Sequence, residues 1–211
     1  MSCCSKWICR GCDYANQRRE FEAGLENRCA FCREELPESD EEFRKRLMER
    51  IKKNDPVAMQ QMGKKRREEG DYQGAFKYFT KAAELGDAVA HFELSCLYLT
   101  GQGVEKDNEK AIYHAEQAAI GGHPVARHNL GATELQNGKF ERARKHFLIA
   151  AHLGLHDSLK LLKDLYADGH ASKDDYANAL RAYQAAVEAT KSLDREKAEE
   201  AFKNGRARIT V

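Results

Sequence analysis

The chain of 211 residues is 33% charged and 42% hydrophobic, an ordinary balance for a water-soluble protein. Its 35 Lys and Arg against 34 Asp and Glu leave a net charge of +1, which excludes the broad basic field that draws proteins to nucleic-acid phosphates. No run of about 18 apolar residues occurs, which excludes a membrane-spanning helix, and Met1–Trp7 lacks the apolar stretch of a signal peptide, so a reducing cytoplasmic or nuclear location is expected.

The first predicted element, residues 1–36, holds six of the seven cysteines: Cys3, Cys4, Cys9, Cys12, Cys29 and Cys32. Cys9-Arg10-Gly11-Cys12 and Cys29-Ala30-Phe31-Cys32 are two C-x2-C pairs separated by sixteen residues. Each such pair offers two thiolates to one ion, and four thiolates suit tetrahedral zinc, so Zn2+ is the predicted cofactor. The competing reading is reduced thiols packed in a small core.

This pattern resembles the C-terminal two thirds of a RING-type zinc finger. The resemblance implies that Cys3 and Cys4 stand at the framework's third ligand and its neighbour, that Cys9 and Cys12 form the next pair, and that Cys29 and Cys32 form the last. In the crossed arrangement of that fold Cys3, Cys4, Cys29 and Cys32 share one ion, leaving Cys9 and Cys12 as half of another site. A single site from Cys9, Cys12, Cys29 and Cys32 is the alternative. Arg33 follows the final ligand, where many active RINGs place a residue that contacts ubiquitin. Lys6 stands where the common form has His, and Ala30 where it has Pro. A RING's first C-x2-C pair is absent from this sequence, so a partial finger is expected, with weak ubiquitin-ligase activity or none.

Residues 37–54 read as a linker and capping helix. Pro37 ends the cysteine segment, and Ser39-Asp40-Glu41-Glu42 has the form of a capping box. Phe43, Leu47 and Ile51 then recur at i, i+4 and i+8, a face suited to covering the first repeat.

Residues 55–190 repeat internally. Ala58, Ala90, Ala126 and Ser158 are separated by 32, 36 and 32 residues, and so are Met62, Leu94, Leu130 and Leu162. Four units follow, 55–86, 87–122, 123–154 and 155–190, each predicted to be a helical hairpin. In the second, Ala90, Leu94 and Leu97 mark one face of a first helix, with Asp87 as its N-cap. Gly101-Gln102-Gly103 breaks the chain, and a second helix follows with Ala111, Ala115, Ala118 and Ala119. Pro56 and Pro124 sit just inside first helices, where the missing N–H is harmless.

The second unit, with Gly101-Gln102-Gly103-Val104, Asp107, Lys110-Ala111 and Ala118-Ala119 before Gly122, resembles the Sel1-like repeat, and the shorter units tend toward the related tetratricopeptide pattern. His114 and His146 stand where that family commonly has an aromatic residue, and Lys163 where it commonly has Gly. The resemblance implies an all-α helical-hairpin solenoid that binds a partner protein as an adaptor or scaffold. Its first helices line the concave face. Gln60, Phe92, His128 and Lys160 share one position there, and Phe92, Cys96 and Leu99 form an apolar stripe at i, i+4 and i+7. These six are the candidate partner-binding residues, with contact to the neighbouring unit as the other reading of the stripe. The alternative function is a RING-type E3 ligase that also engages a ubiquitin-conjugating enzyme, with the repeats choosing its substrate.

Lesser signals read as structure. Lys64-Lys65-Arg66-Arg67 is expected on a solvated helix face. His114 and His146 hold equivalent positions and could face one another. Cys96 reads as a small apolar residue. No Ser-His-Asp arrangement, phosphate loop or carboxylate pair is visible. The charged tail, 191–211, offers only Leu193 and Phe202 to bury and is expected to be a frayed cap or disordered.

Overall fold

Several helix starts in this protein are set by polar N-cap side chains and by prolines. The computed structural model describes residues 10–25, 28–29 and 31–203. Among them are eleven helices: α1 Arg10–Glu22, α2 Asp40–Ile51, α3 Pro56–Glu68, α4 Tyr72–Glu84, α5 Ala88–Thr100, α6 Asn108–Ile120, α7 Pro124–Gln136, α8 Phe140–His152, α9 His156–Ala167, α10 Lys173–Ala189 and α11 Leu193–Lys203. Asp71, Asp87 and Asp107 cap α4, α5 and α6 by accepting the N–H of the residue three positions on, at 2.8, 2.7 and 3.0 Å. His123 does the same for α7 through Nδ1, ahead of Pro124. At the other end of α5, Gly101 takes a left-handed φ of 73°, a conformation that a Cβ disfavours.

The chain forms two units. The larger runs from Met59 to Ala189 and is built of the helix pairs α3/α4, α5/α6, α7/α8 and α9/α10. Its second helices bury small residues, among them Ala82, Ala118 and Ala150, each 0% exposed, and this lets the helices approach closely. Phe79 and Phe147 fill equivalent places on α4 and α8. Each ring faces a glycine on the first helix. A Cβ at Gly63 would lie 2.6 Å from the Phe79 ring, and one at Gly131 would lie 2.8 Å from that of Phe147. In the second unit the equivalent positions are Ala115 and Ser95, so the smaller second-helix residue coincides with a larger residue than glycine on the first helix. The predicted core stripe of α5, Ala90, Leu94 and Leu97, is buried throughout.

The smaller unit comprises the described residues up to Ala58 together with those from Thr190 on. Here Ser39 Oγ accepts the Glu42 N–H at 3.1 Å and starts α2, as the capping motif predicts. The tail departs from expectation. It forms α11, which packs against α1 and buries Ala198 and Ala201. Small side chains make this contact, so a count of large apolar residues misses it.

Candidate functional site

In the smaller unit, Cys12 lies exposed in the first turn of α1, Cys29 is buried and Cys32 is exposed. Cys3, Cys4 and Cys9 lie outside the described residues. The chain turns at Phe31 and Cys32. The Arg33 N–H donates to the Cys29 carbonyl at 3.0 Å, and the Cys29 N–H to the Glu34 carbonyl at 2.8 Å. An antiparallel bridge joins Arg28 to Glu35, and Arg33 takes a positive φ of 62°. Among the described residues no three or more His, Cys, Asp or Glu side chains converge so as to hold a metal ion. Two thiols closed into a turn of this kind match the soft donor chemistry that zinc prefers. Arg33, the residue matched to a ubiquitin contact, turns one guanidinium nitrogen onto Glu20 at 3.2 Å.

In the larger unit the candidate binding residues divide. Gln60 is buried at 1% exposure and presents no surface. Phe92 is half-buried, stacked on the His123 ring at 4.3 Å, and packs beside Ala118, Ala119 and Ala126. His128 Nδ1 lies 2.9 Å from Ser158 Oγ on α9. Phe92 and His128 thus make contacts between successive hairpins, and for Phe92 such contact is the other reading of its stripe. Cys96 is half-buried, and burial raises its thiol pKa, with Glu93 adding to the effect, so it is a poor nucleophile. Leu99 and Lys160 are exposed.

Several features depart from the sequence reading or lie beyond it. His114 faces His91, not His146: their Nδ1 atoms are 3.0 Å apart. Tyr98 stacks on His114 at 5.6 Å, Phe76 meets Tyr98 edge-on, and the Lys110 ammonium lies over the Tyr98 ring. His91 and Tyr98 are seven residues apart on α5, a spacing that could have marked this face. Burial, and then the neighbouring His91, push His114 down to about 4. The His146 Nδ1 is buried with no hydrogen-bond partner among the described residues. The basic run Lys64–Arg67 is half-buried, and Arg67 pairs with Glu93, itself buried on α5. A shallow open groove at the α7–α8 turn is lined by Lys139, Phe140, Arg142 and His170, with Phe140 stacked on His170 at 3.7 Å.

The Sel1 repeat family matches residues 56–87, 88–123 and 124–155, each one residue later than the unit drawn from the sequence. Over residues 56–155 the chain matches the Sel1 repeat. The hairpin α9/α10 follows the matched residues. A Sel1 repeat protein from Oxalobacter formigenes has a similar crystal structure, with a TM-score of 0.60 and 26% identity, covering 86% of this chain and 74% of that one. A protective antigen of uropathogenic Escherichia coli with an SLR fold superposes with a TM-score of 0.60 at 20% identity, over 94% of this chain and 44% of that one, a likeness of fold. An uncharacterized protein of Neisseria meningitidis serogroup B is 29% identical over 115 residues, 51% of this chain. The chain spans only 23% of that relative's length. Among the described residues no helix is long and apolar enough to cross a membrane.

Proposed function

We propose that this chain is an adaptor that binds a partner protein through the first-helix face of its Sel1 repeats, and that its N-terminal cysteines hold zinc. One observation carries the binding reading. Leu99, a large aliphatic side chain on the first helix α5, is 55% exposed and lies off the buried stripe of Ala90, Leu94 and Leu97. Tandem hairpins offer an extended surface, and an apolar side chain left in water on it is the kind of anchor that interfaces bury. Lys160, exposed on α9, adds a charged contact on the same series of helices.

The zinc reading rests on the paired thiols and on the turn at Cys29–Cys32. The donors are drawn from those two, Cys12, Cys3, Cys4 and Cys9, four thiolates to an ion, and the ion would tie the segment together. No observation favours the ubiquitin-ligase alternative, and its candidate contact, Arg33, is engaged with Glu20.

The test is affinity capture with the full chain, wild type beside Leu99→Glu, scored on proteins recovered in stoichiometric amount. The wild type is expected to retain a partner that the variant binds at least about tenfold more weakly, with the thermal melt unchanged. Equal recovery by both moves the interface off this face, and no stoichiometric partner for the wild type removes the adaptor reading.

A further inference from the structure

Asn16 and Glu20 are polar residues 5% and 4% exposed on α1, one helical turn apart. Removing a carboxylate from water is expensive unless it is paired and hydrogen-bonded, so its partners show what the burial serves. Among the described residues, these two side chains hydrogen-bond to the residues that flank the cysteine turn. The Arg28 N–H, just before Cys29, donates to Glu20 Oε2 at 2.6 Å. The Arg28 carbonyl accepts from Asn16 Nδ2 at 3.1 Å. Past Cys32, one guanidinium nitrogen of Arg33 donates to Glu20 Oε1 at 3.2 Å and reaches Asn16 Oδ1 at 3.4 Å.

Both ends of each side chain are therefore used, and the turn is gripped on either side of its two thiols. Asn16 and Glu20 also continue the helix face of Cys12, at i+4 and i+8. The clamp thus holds the Cys29–Cys32 turn against the same face of α1 that carries Cys12 in its first turn. Fixing the backbone before and after a C-x2-C pair sets where its sulfurs converge, as outer residues do for metal ligands.

We propose that Asn16 and Glu20, through Arg28 and Arg33, are positioning residues that preorganise the cysteine turn for a divalent metal. This rests on the zinc reading above. It also gives Arg33 a role inside this chain, that of a strut between the turn and α1.

The experiment titrates the full chain with Co2+ alone, following the thiolate-to-cobalt and d–d absorption bands, and obtains Zn2+ affinity by competition with a chelator. Wild type, Glu20→Ala, Glu20→Gln and Asn16→Ala are compared, with hydrogen exchange along α1 as the check on folding. Wild type is expected to give the bands of a thiolate-rich tetrahedral site. The two alanine variants should bind at least about tenfold more weakly with shifted d–d bands. Glu20→Gln keeps an acceptor for the Arg28 N–H and should recover most of the affinity while α1 stays protected. Alanine variants that match wild type in affinity and spectrum overturn the positioning role and leave the zinc reading standing, as does a Gln variant no better than Ala with α1 protected. Absence of any cobalt or zinc binding by wild type removes the zinc reading itself, and this inference with it.

Discussion

His91 and His114 hold their Nδ1 atoms 3.0 Å apart, so one ring must donate and the other accept. Two charged rings could not make that bond. Burial lowers both pKa values. His114 falls to about 4, because it lies in an aromatic stack with Tyr98 and beside a second imidazole, whereas the Ala83 backbone and Asp87 partly offset the effect at His91. The native state therefore favours neutral His114. In the unfolded chain the ring takes a proton below about 6.5, so its contribution to stability is complete above that pH and is lost as pH falls toward about 4. His114→Phe keeps the aromatic packing without the titration. Thermal melts at pH 7 and pH 4.5 should show a smaller acid loss in the variant, by on the order of 1 kcal/mol once partial exposure is allowed for. Parallel losses in the two proteins count against this account. That His114 occupies a special repeat position is readable from the sequence. Its partner is not, because the match with His91 depends on how α5 and α6 cross.

The hairpins were legible because each rests on local signals that agree. Pro56 and Pro124 open α3 and α7, Asp87 caps α5, and the apolar period of α5 coincides with its burial. The position facing Phe79 and Phe147 is legible once the units are aligned, since glycine recurs there at 63 and 131. The tail was not legible, because its contact uses Ala198 and Ala201, which add little to any hydrophobic count but allow α11 to approach α1. Ser192 Oγ accepts the Arg195 N–H at 3.2 Å, a further start signal hidden in a charged stretch. Ala198→Glu puts a charge into this contact. Hydrogen exchange should then speed at least about tenfold in residues 10–22, while α5 to α8 keep their protection. Unchanged exchange in α1 means that α11 does not stabilise it.

The two units differ in what holds them. The repeats bury Phe79, Phe147, Leu94, Leu97 and Leu162, apolar side chains distributed over successive hairpins. Among its described residues the smaller unit buries Leu47, Cys29, Ala58, Ala198 and Ala201, alongside the polar Asn16 and Glu20. A unit this small depends more than a large one on a further tie such as a metal ion. This division explains why the repeats were readable as a fold, whereas the cysteine segment was readable only as chemistry. Repetition reports packing four times over, but the cysteine motif reports donors and says nothing of the helix, turn and tail that hold them. If the proposed zinc supplies such a tie, its removal must act on one unit alone. Treating the full chain with a strong chelator should raise exchange in α1 and in residues 28–35 by at least about tenfold. Protection across α5 to α8 and the main helical melt should stay within about 2 °C of the untreated protein, since nothing buried there changes. Unaltered exchange in α1 means the cysteines hold no structural metal. A loss of protection that spreads through α5 to α8 means that the repeats draw stability from the smaller unit, and that the two unfold as one.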